Sequence, residues 1–419
     1  IGGRMFPVFL AAAAIAVVVT VIRWFGQTVA HQQRLDQVKY RVHVNGIRGK
    51  STVTRIVAGM FREADVTTIA KSTGSFAAVI TPGGHDVPIK RSGAPTIMEQ
   101  LKIIKNYVSP DVEAIIVECM AIVPAYQQVS EEKMVRSTIG VLTNVREDHQ
   151  DVMGETLPQI ARSLASTCPH DGLLITAEQN VDLREVIQDV ADERGTRVVY
   201  AEPDSVTDED IARFDYIAFK ENVAIGLAIA DIVGIPREIA MTGMVRAAPD
   251  PGVLRLKHLK IGDKLVTWAN LFAVNDRESM VAAMERLNPY RSAETTTVGI
   301  LNNRSDRQLR ATQFADVAVR DLDFDRLVTF GAYEQIVTQR LLDNGWPADQ
   351  IANLGEQRKP TIEQMIDELV HRNDTPHVLV VGFVNIHTHQ AEMMLDYFEN
   401  EAEAVDPGEM RGSQMAVVA

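Results

Sequence analysis

The segment VHVNGIRGKST, residues 42–52, places two glycines, a lysine and a hydroxyl at one turn of the chain. A β-branched run, YRVHVN, leads into Gly46, and a helical stretch, TVTRIVAGMF, follows Ser51. Glycines let a backbone curl until its N–H groups converge on phosphate oxygens, and the N-terminus of the next helix favours negative charge there. In that setting Asn45, Gly46, Ile47, Arg48, Gly49, Lys50, Ser51 and Thr52 form a cradle for nucleotide phosphates. Lys50 reaches the terminal phosphates and Ser51 is placed to ligate Mg²⁺. The loop is shorter than G-x-x-x-x-G-K-[ST], because Val44 stands where that motif has its first glycine, leaving G-x-x-G-K-S. A plain helix N-terminus with a chance glycine pair is the competing reading, and the combination of strand, loop, lysine and helix weighs against it.

Two further groups follow strands. Glu118 closes EAIIVE, and Thr143, Asn144, Asp148 and His149 follow STIGVL in TNVREDHQD. Carboxylates at strand ends beside a phosphate loop can hold Mg²⁺ directly or through water, since ligands gather at the carboxyl edge of an open α/β sheet. Taken singly, a Glu after a strand is more often a solvated turn residue, and a D-H pair in a loop is more often a helix cap. In chain order after the loop, Ser51, Glu118 and His149 become the candidate metal residues and Lys50, Glu118 and His149 the candidate catalytic ones. His387 and His389 in NIHTHQ have no further ligands nearby in sequence, so a loop and helix start is expected there.

The elements that must position these groups alternate. YRVHVN, VTTIAK (66–71), EAIIVEC (113–119), STIGVLTN (137–144) and GLLIT (172–176) read as strands separated by helix-length segments, which argues for a doubly wound α/β sheet. A helical stretch from Asn222 to Ile235 precedes the turn-rich AAPDPG (247–252). The alternation resumes with TTTVGILN (295–302), RLVTFG (326–331) and HVLVVGF (377–383). The expected organisation is a membrane anchor and juxtamembrane segment over 1–39, an ATPase domain of P-loop type over 40–246, a smaller C-terminal α/β domain over 247–399 and a flexible tail over 400–419.

Composition limits the partners. At 419 residues, 46% hydrophobic and 23% charged, the chain is too long for one small domain and too apolar for global disorder. With 42 basic against 56 acidic residues, the net charge of −14 argues against a general nucleic-acid binder and confines any anionic ligand to a local basic cleft. Cys119 and Cys168 match neither a disulfide framework nor a zinc spacing, in keeping with a cytosolic body. Met5 to Ile22 is uncharged and, as a helix, spans roughly 27 Å, close to a bilayer core. Arg34, Lys39 and Arg41 follow with only Asp36 against them. The expected location is therefore the cell membrane, crossed once, with the body in the cytoplasm. A cleaved signal peptide is the rival, although its apolar region is usually shorter.

GIRGKS, the strand-end Glu118, TN-x-x-x-DH and Asn222 with Gly234 resemble the ATP-dependent Mur ligase and folylpolyglutamate synthase superfamily. NGIRGKSTVTR, IMEQ (97–100), VECMAIVPAYQ and TNVREDHQDVMGETL resemble more closely the poly-γ-glutamate synthase ligase subunits of bacterial capsule formation, over about Arg41 to Phe398. The resemblance implies amide formation through an acyl phosphate, with ATP and one or two Mg²⁺ ions as cofactors. It implies that Asn144 and Asn222 lie toward the nucleotide, and it carries over Asn275 from ANLFAVNDRES together with Arg304 and Asp306. It implies glutamate and a poly-γ-glutamate chain as substrates and a small integral membrane subunit as partner; a homo-oligomer is also open. Many superfamily members bridge a second metal with a carbamylated lysine. This chain has no lysine between Lys133 and Lys220, and Arg162 is the only cation at the equivalent distance. Arg246, Arg255, Lys257, Lys260, Lys264, Arg304, Arg307 and Arg310 are either contacts for a polyanion or a solvated charged face. A membrane-tethered P-loop switch that regulates polymer assembly remains the alternative to a ligase.

Overall fold

The computed structural model describes residues 5–405 apart from 75, 76, 92, 215, 217, 251–255, 273, 275, 356–359, 386 and 387, and for 5–12 it describes the backbone alone. Two compact units divide the chain, one ending at Asp250 and the other running from Leu256, with Tyr216 grouped with the second.

Helix α1 (Met5–Asp36) opens the first unit and is followed by β1 (Tyr40–Asn45), α2 (Lys50–Glu63) and β2 (Thr68–Ser72). An edge hairpin, β3 (Ala78–Ile80) and β4 (Asp86–Pro88), leads to α3 (Met98–Tyr107), and β5 (Ala114–Glu118), β6 (Ile139–Leu142), β7 (Leu173–Thr176) and β8 (Arg197–Tyr200) complete the sheet. The order is β4-β3-β2-β5-β1-β6-β7-β8. β1 runs parallel to β5 and β6, whereas β3 is antiparallel to β2 and β4, so the sheet is mixed. From β1 the chain builds outward to β2, returns to β5 and then crosses to β6. That reversal leaves a crevice at the carboxyl end of β1, where ligands of open α/β sheets collect. All five residues of AIIVE are buried, as expected of a strand covered on both faces. α2 covers part of the sheet with Val53, Ile56, Val57, Met60 and Phe61.

The middle of β1 carries a buried charge. His43 Nδ1 lies 2.7 Å from Glu131 Oε2, and Glu131 Oε1 accepts from Ser137 N (2.7 Å) and Oγ (2.9 Å). Burial opposes a charged imidazole, but hydrogen bonding to Cys119 and Glu131 and the charges of those groups outweigh it and raise His43 from 6.5 to about 9. A raised folded-state value contributes stability that is fully present below the unfolded value and is lost as pH rises through about 9. The melting temperature should therefore hold level to about pH 6.5 and fall toward about pH 9. The fall should vanish in His43→Gln. A wild-type profile that stays level across this range would show that His43 is neutral in the fold.

In the second unit, β9 (Leu256–Ile261) and β10 (Lys264–Leu271) form a hairpin, followed by β11 (Thr295–Asn303), β12 (Arg326–Gly331), β13 (Ile351–Asn353), β14 (His377–Phe383) and β15 (Glu403–Ala404). The order is β13-β12-β11-β14-β10-β9-β15, parallel from β13 to β10 and antiparallel at β9 and β15. Trp268 stacks on Phe398 with centroids 4.4 Å apart on one face of this sheet, and Phe324 stacks on Phe383 at 5.4 Å in the other core cluster.

Several elements differ from the sequence reading. β3, β4, β8 and β13 have only three or four residues each, too short for a clear period. The β9–β10 hairpin is legible in its Gly262-Asp263 turn, where Gly262 has φ 61°, although its three lysines, Lys257, Lys260 and Lys264, read first as a charged patch. Within the segment expected as a flexible tail from residue 400, Glu403 and Ala404 pair with Lys260 and Leu259 of β9; residues 406–419 lie outside the described residues.

Candidate active site

The loop between β1 and α2 is held from outside. Gly46 has φ 129° and Gly49 φ 80°, left-handed values that favour glycine. A Cβ on Gly46 would lie 2.0 Å from Thr143 Oγ1, and one on Gly49 would lie 2.5 Å from Asn222 Oδ1. The glycines thus serve close approach of two neighbouring segments as well as curvature. Thr143 Oγ1 and Asn144 Nδ2 both donate to Arg48 O, at 2.6 and 3.1 Å, while Asn144 O and Oδ1 accept from Ile47 N (3.2 Å) and Arg48 N (3.1 Å). Asn144 and Asn222 therefore meet the loop itself.

Lys50 is the first residue of α2 and bends back, donating from Nζ to Gly46 O (2.7 Å) and Ile47 O (3.2 Å). Burial is the main cause that pushes its ammonium below the usual lysine range; Glu118 opposes the shift and Arg48 adds to it. An enclosed cation bonded only to neutral carbonyls is poised for an anion.

Glu118 ends β5 beside this loop. Its Oε2 accepts from Ser51 Oγ at 2.9 Å and from Thr73 N at 2.7 Å. A Cβ on Gly74 would meet Ser51 Oγ at 2.2 Å, so the segment after β2 closes directly over the pair. A carboxylate and a hydroxyl are hard oxygen donors suited to Mg²⁺, which commonly takes one or two protein ligands and completes its shell with phosphate and water. No group of three His, Cys, Asp or Glu side chains able to hold a metal occurs among the described residues.

His149 sits at φ 49° just before a short helix, with its N–H donating to Asp148 Oδ1 at 2.9 Å. Asp148 also pairs with Arg48 of the loop (3.1 Å), and Glu178 beyond β7 accepts from Val145 N at 2.8 Å, fixing the TNVREDH segment. Gly46, Lys50, Glu118 and His149 line one cavity of about 260 Å³, together with Thr73, Arg91, Met120 and Asp148. The sequence reading passed over Thr73 and Arg91. Thr73 has a local signal in the small residues STG at the end of β2, whereas Arg91 has none. Behind the cavity wall Lys71 is buried with Nζ 3.3 Å from Glu99, which also pairs with Arg91 at 2.8 Å.

Other expected residues go elsewhere. Asn45 reaches the same cavity, but its side-chain amide is committed inward, donating to Gln127 Oε1 (2.9 Å), Leu164 O (3.0 Å) and Thr167 Oγ1 (3.2 Å). Thr52 lies in the first turn of α2. Arg162 does not line the cavity; it is exposed and 3.8 Å from Glu193, so it does not replace a bridging lysine there. Asn275 and His387 lie outside the described residues, as does Arg255, and His389 begins a helix capped by Thr388. Arg304 and Asp306 form a two-bonded ion pair (3.0 and 2.9 Å) in the second unit, lining a cleft of about 910 Å³ at the carboxyl ends of β11 and β12. Several of the cations that read as a patch are paired: Arg246 belongs to the first unit and meets Glu63 at 2.7 Å, and Lys257 meets Glu399 at 2.9 Å.

Comparison with known proteins gives consistent matches. The family model described as Mur ligase middle domain matches residues 44–243, and that described as poly-gamma-glutamate synthase CapB C-terminal domain matches residues 256–401. The chain is similar to the capsule biosynthesis protein CapB of Bacillus anthracis, at 35% identity over 374 residues, 88% of this chain and 79% of that protein. It is also similar to the PGA synthase CapB of Bacillus subtilis strain 168, at 34% identity over 361 residues, 85% and 90% of the two chains. Among solved structures, the fold is like that of MurF from Acinetobacter baumannii (TM-score 0.63, 13% identity, covering 89% of this chain and 79% of that one). It is also like that of Mycobacterium tuberculosis folylpolyglutamate synthase complexed with ADP and AMPPCP (TM-score 0.58, 13% identity, covering 93% and 100%).

Proposed function

Since the chain belongs to the CapB family of poly-γ-glutamate synthases and is an ATP-dependent amide ligase of Mur-ligase type, we propose that it extends poly-γ-glutamate through a γ-glutamyl phosphate, releasing ADP and phosphate. The observation that carries this reading is the convergence of Lys50, Ser51 and Glu118 on the curled loop that ends β1.

In the proposed reaction, a terminal carboxylate oxygen attacks the γ-phosphorus of ATP and ADP departs. The amine of the incoming residue then attacks the acyl carbon, loses a proton, and expels phosphate with the oxygen that the carboxylate gave. Both partners in the first step are anionic, so the protein must hold them in line and neutralise charge rather than supply a nucleophile. Lys50 exchanges its bonds to Gly46 O and Ile47 O for the transferring phosphoryl group. The loop N–H groups and the start of α2 face the remaining phosphates. Ser51 and Glu118 would hold Mg²⁺, which would withdraw charge from the phosphate oxygens. Asp148 keeps Arg48 and His149 at the cavity rim. His149 marks the place of a second ion, should one bind. Glutamate and the growing chain are the substrates in this reading, a small integral membrane subunit is the partner, and α1 anchors the chain in the cell membrane with the catalytic body in the cytoplasm.

A carboxylate labelled with ¹⁸O on the accepting chain should deliver one label to released phosphate, alongside ADP and a γ-linked product, and hydroxylamine should trap a γ-hydroxamate. A regulatory switch that hydrolyses ATP would draw that oxygen from water. Label recovered in AMP, or product formed with no label transfer, would refute the acyl phosphate.

A further inference from the structure

α1 does not stop where its apolar segment stops. Every described residue from Ala13 to Gln27 is exposed, including Ile15, Ile22, Trp24 and Phe25, each more than 60% accessible. The same helix then runs on without interruption through Thr28 and Val29, half-buried, to His31 and Leu35, buried in the first unit. His31 Nε2 is bonded to Met134 O at 2.9 Å, and Asp36 pairs with Arg136 at 3.3 Å. Arg41 Nη1 donates to the end carbonyls Leu35 O (3.1 Å) and Val38 O (2.9 Å), while its Nε donates to Arg136 O at 2.7 Å. Leu35 and Val38 share a core cluster with Ile103, Ile104, Val108 and Val112.

These fastenings lie where α3 leads into β5, where Arg136 precedes β6, and where β1 begins. All of them are on the amino edge of the sheet. The Lys50–Glu118 cavity is at the opposite edge, one strand length of roughly 20 Å away. The docked part of α1, residues 28–36, covers only about 13 Å, so the helix leaves the unit near the edge where it is fastened. The free part, 5–27, reaches about 34 Å, enough to cross a bilayer core. Its surface is apolar without a charge as far as Ile22, with Arg23, Trp24 and Phe25 at the interface position, and a lipid bilayer is the partner that covers it.

We infer that α1 is a rigid strut rather than a loose tether, which holds the amino edge of the first-unit sheet against the membrane and turns the catalytic cavity toward the cytoplasm. The inference rests on the membrane reading of α1. A growing chain is then made on the side away from the bilayer and has to be passed round the unit, or to a neighbouring one, before it can cross.

Both native cysteines are buried, which leaves an introduced surface cysteine as the reactive one. The full-length protein in lipid nanodiscs carries a dye at Asp111→Cys on the amino edge or at Glu155→Cys beyond the cavity, with an acceptor dye on the lipid headgroups. Energy transfer from position 111 should exceed that from 155 by about two-fold or more, given the strand length. A flexible Gly-Ser insertion after Gly26 should erase the difference. Equal transfer in the uninserted protein, stronger transfer from 155, or a difference that survives the insertion would overturn the strut. Failure of the chain to enter the discs would instead refute the membrane reading on which it rests.

Discussion

Lys50→Ala should lower glutamate-dependent ATP turnover by about 10²–10³-fold or more, the range seen when one preorganised charge-stabilising donor is removed from a transition state. The same substitution should leave the melting temperature unchanged or slightly raised. Lys50 is enclosed, burial presses its ammonium toward the neutral form, and its partners are two loop carbonyls rather than a carboxylate. Its removal deletes a half-buried cation whose hydrogen bonds go only to neutral carbonyls, so little stability is lost with the function. Steady-state turnover and thermal unfolding of one preparation check both halves. Turnover within a few-fold of wild type would remove Lys50 from the chemistry, and a large loss of stability would mean that the lysine is a structural staple of the loop.

Glu118→Gln should lower turnover by about 10²-fold at moderate Mg²⁺ and raise the Mg²⁺ concentration needed for half-maximal rate. The amide keeps an oxygen that can accept from Thr73 N and Ser51 Oγ, so the local fold should persist. Nucleotide binding measured without Mg²⁺ should be equal or tighter, because a carboxylate facing a triphosphate repels it until a cation lies between them. Weaker binding without metal would indicate a direct role in holding the nucleotide. His149→Ala in parallel reports on a second ion: loss of turnover accompanied by a steeper Mg²⁺ dependence supports one, and unchanged turnover leaves Ser51 and Glu118 as the whole metal site.

Much of this site could be read along the chain because its parts are local. Gly46, Gly49, Lys50 and Ser51 fall within six residues, and a strand before and a helix after them give the loop its only sensible geometry. Glu118 was legible for a similar reason, since a carboxylate that ends a buried apolar strand must emerge at the sheet edge. The side-chain commitments were not legible. Asn45 reads as the strand end that opens the cradle for nucleotide phosphates, yet its amide is turned into the core toward Gln127 and Leu164. Thr73 gained a role through a backbone N–H, which no residue type announces.

The alternation of strands and helices, the short G-x-x-G-K-S turn between a strand and a helix, and the long apolar helix before β1 are legible along the chain, because each is written in neighbouring residues and their period. Which distant segments brace that loop, and where the helix is fastened, follow from packing between segments far apart in the chain. Asn144 and Asn222 clamp a loop about 95 and 173 positions before them, and Arg41 joins the end of α1 to Arg136. Such contacts depend on strand order, which places β6 next to β1 and β5 on its other side. Strand order follows from how the whole sheet buries its faces, and no short stretch of sequence contains it.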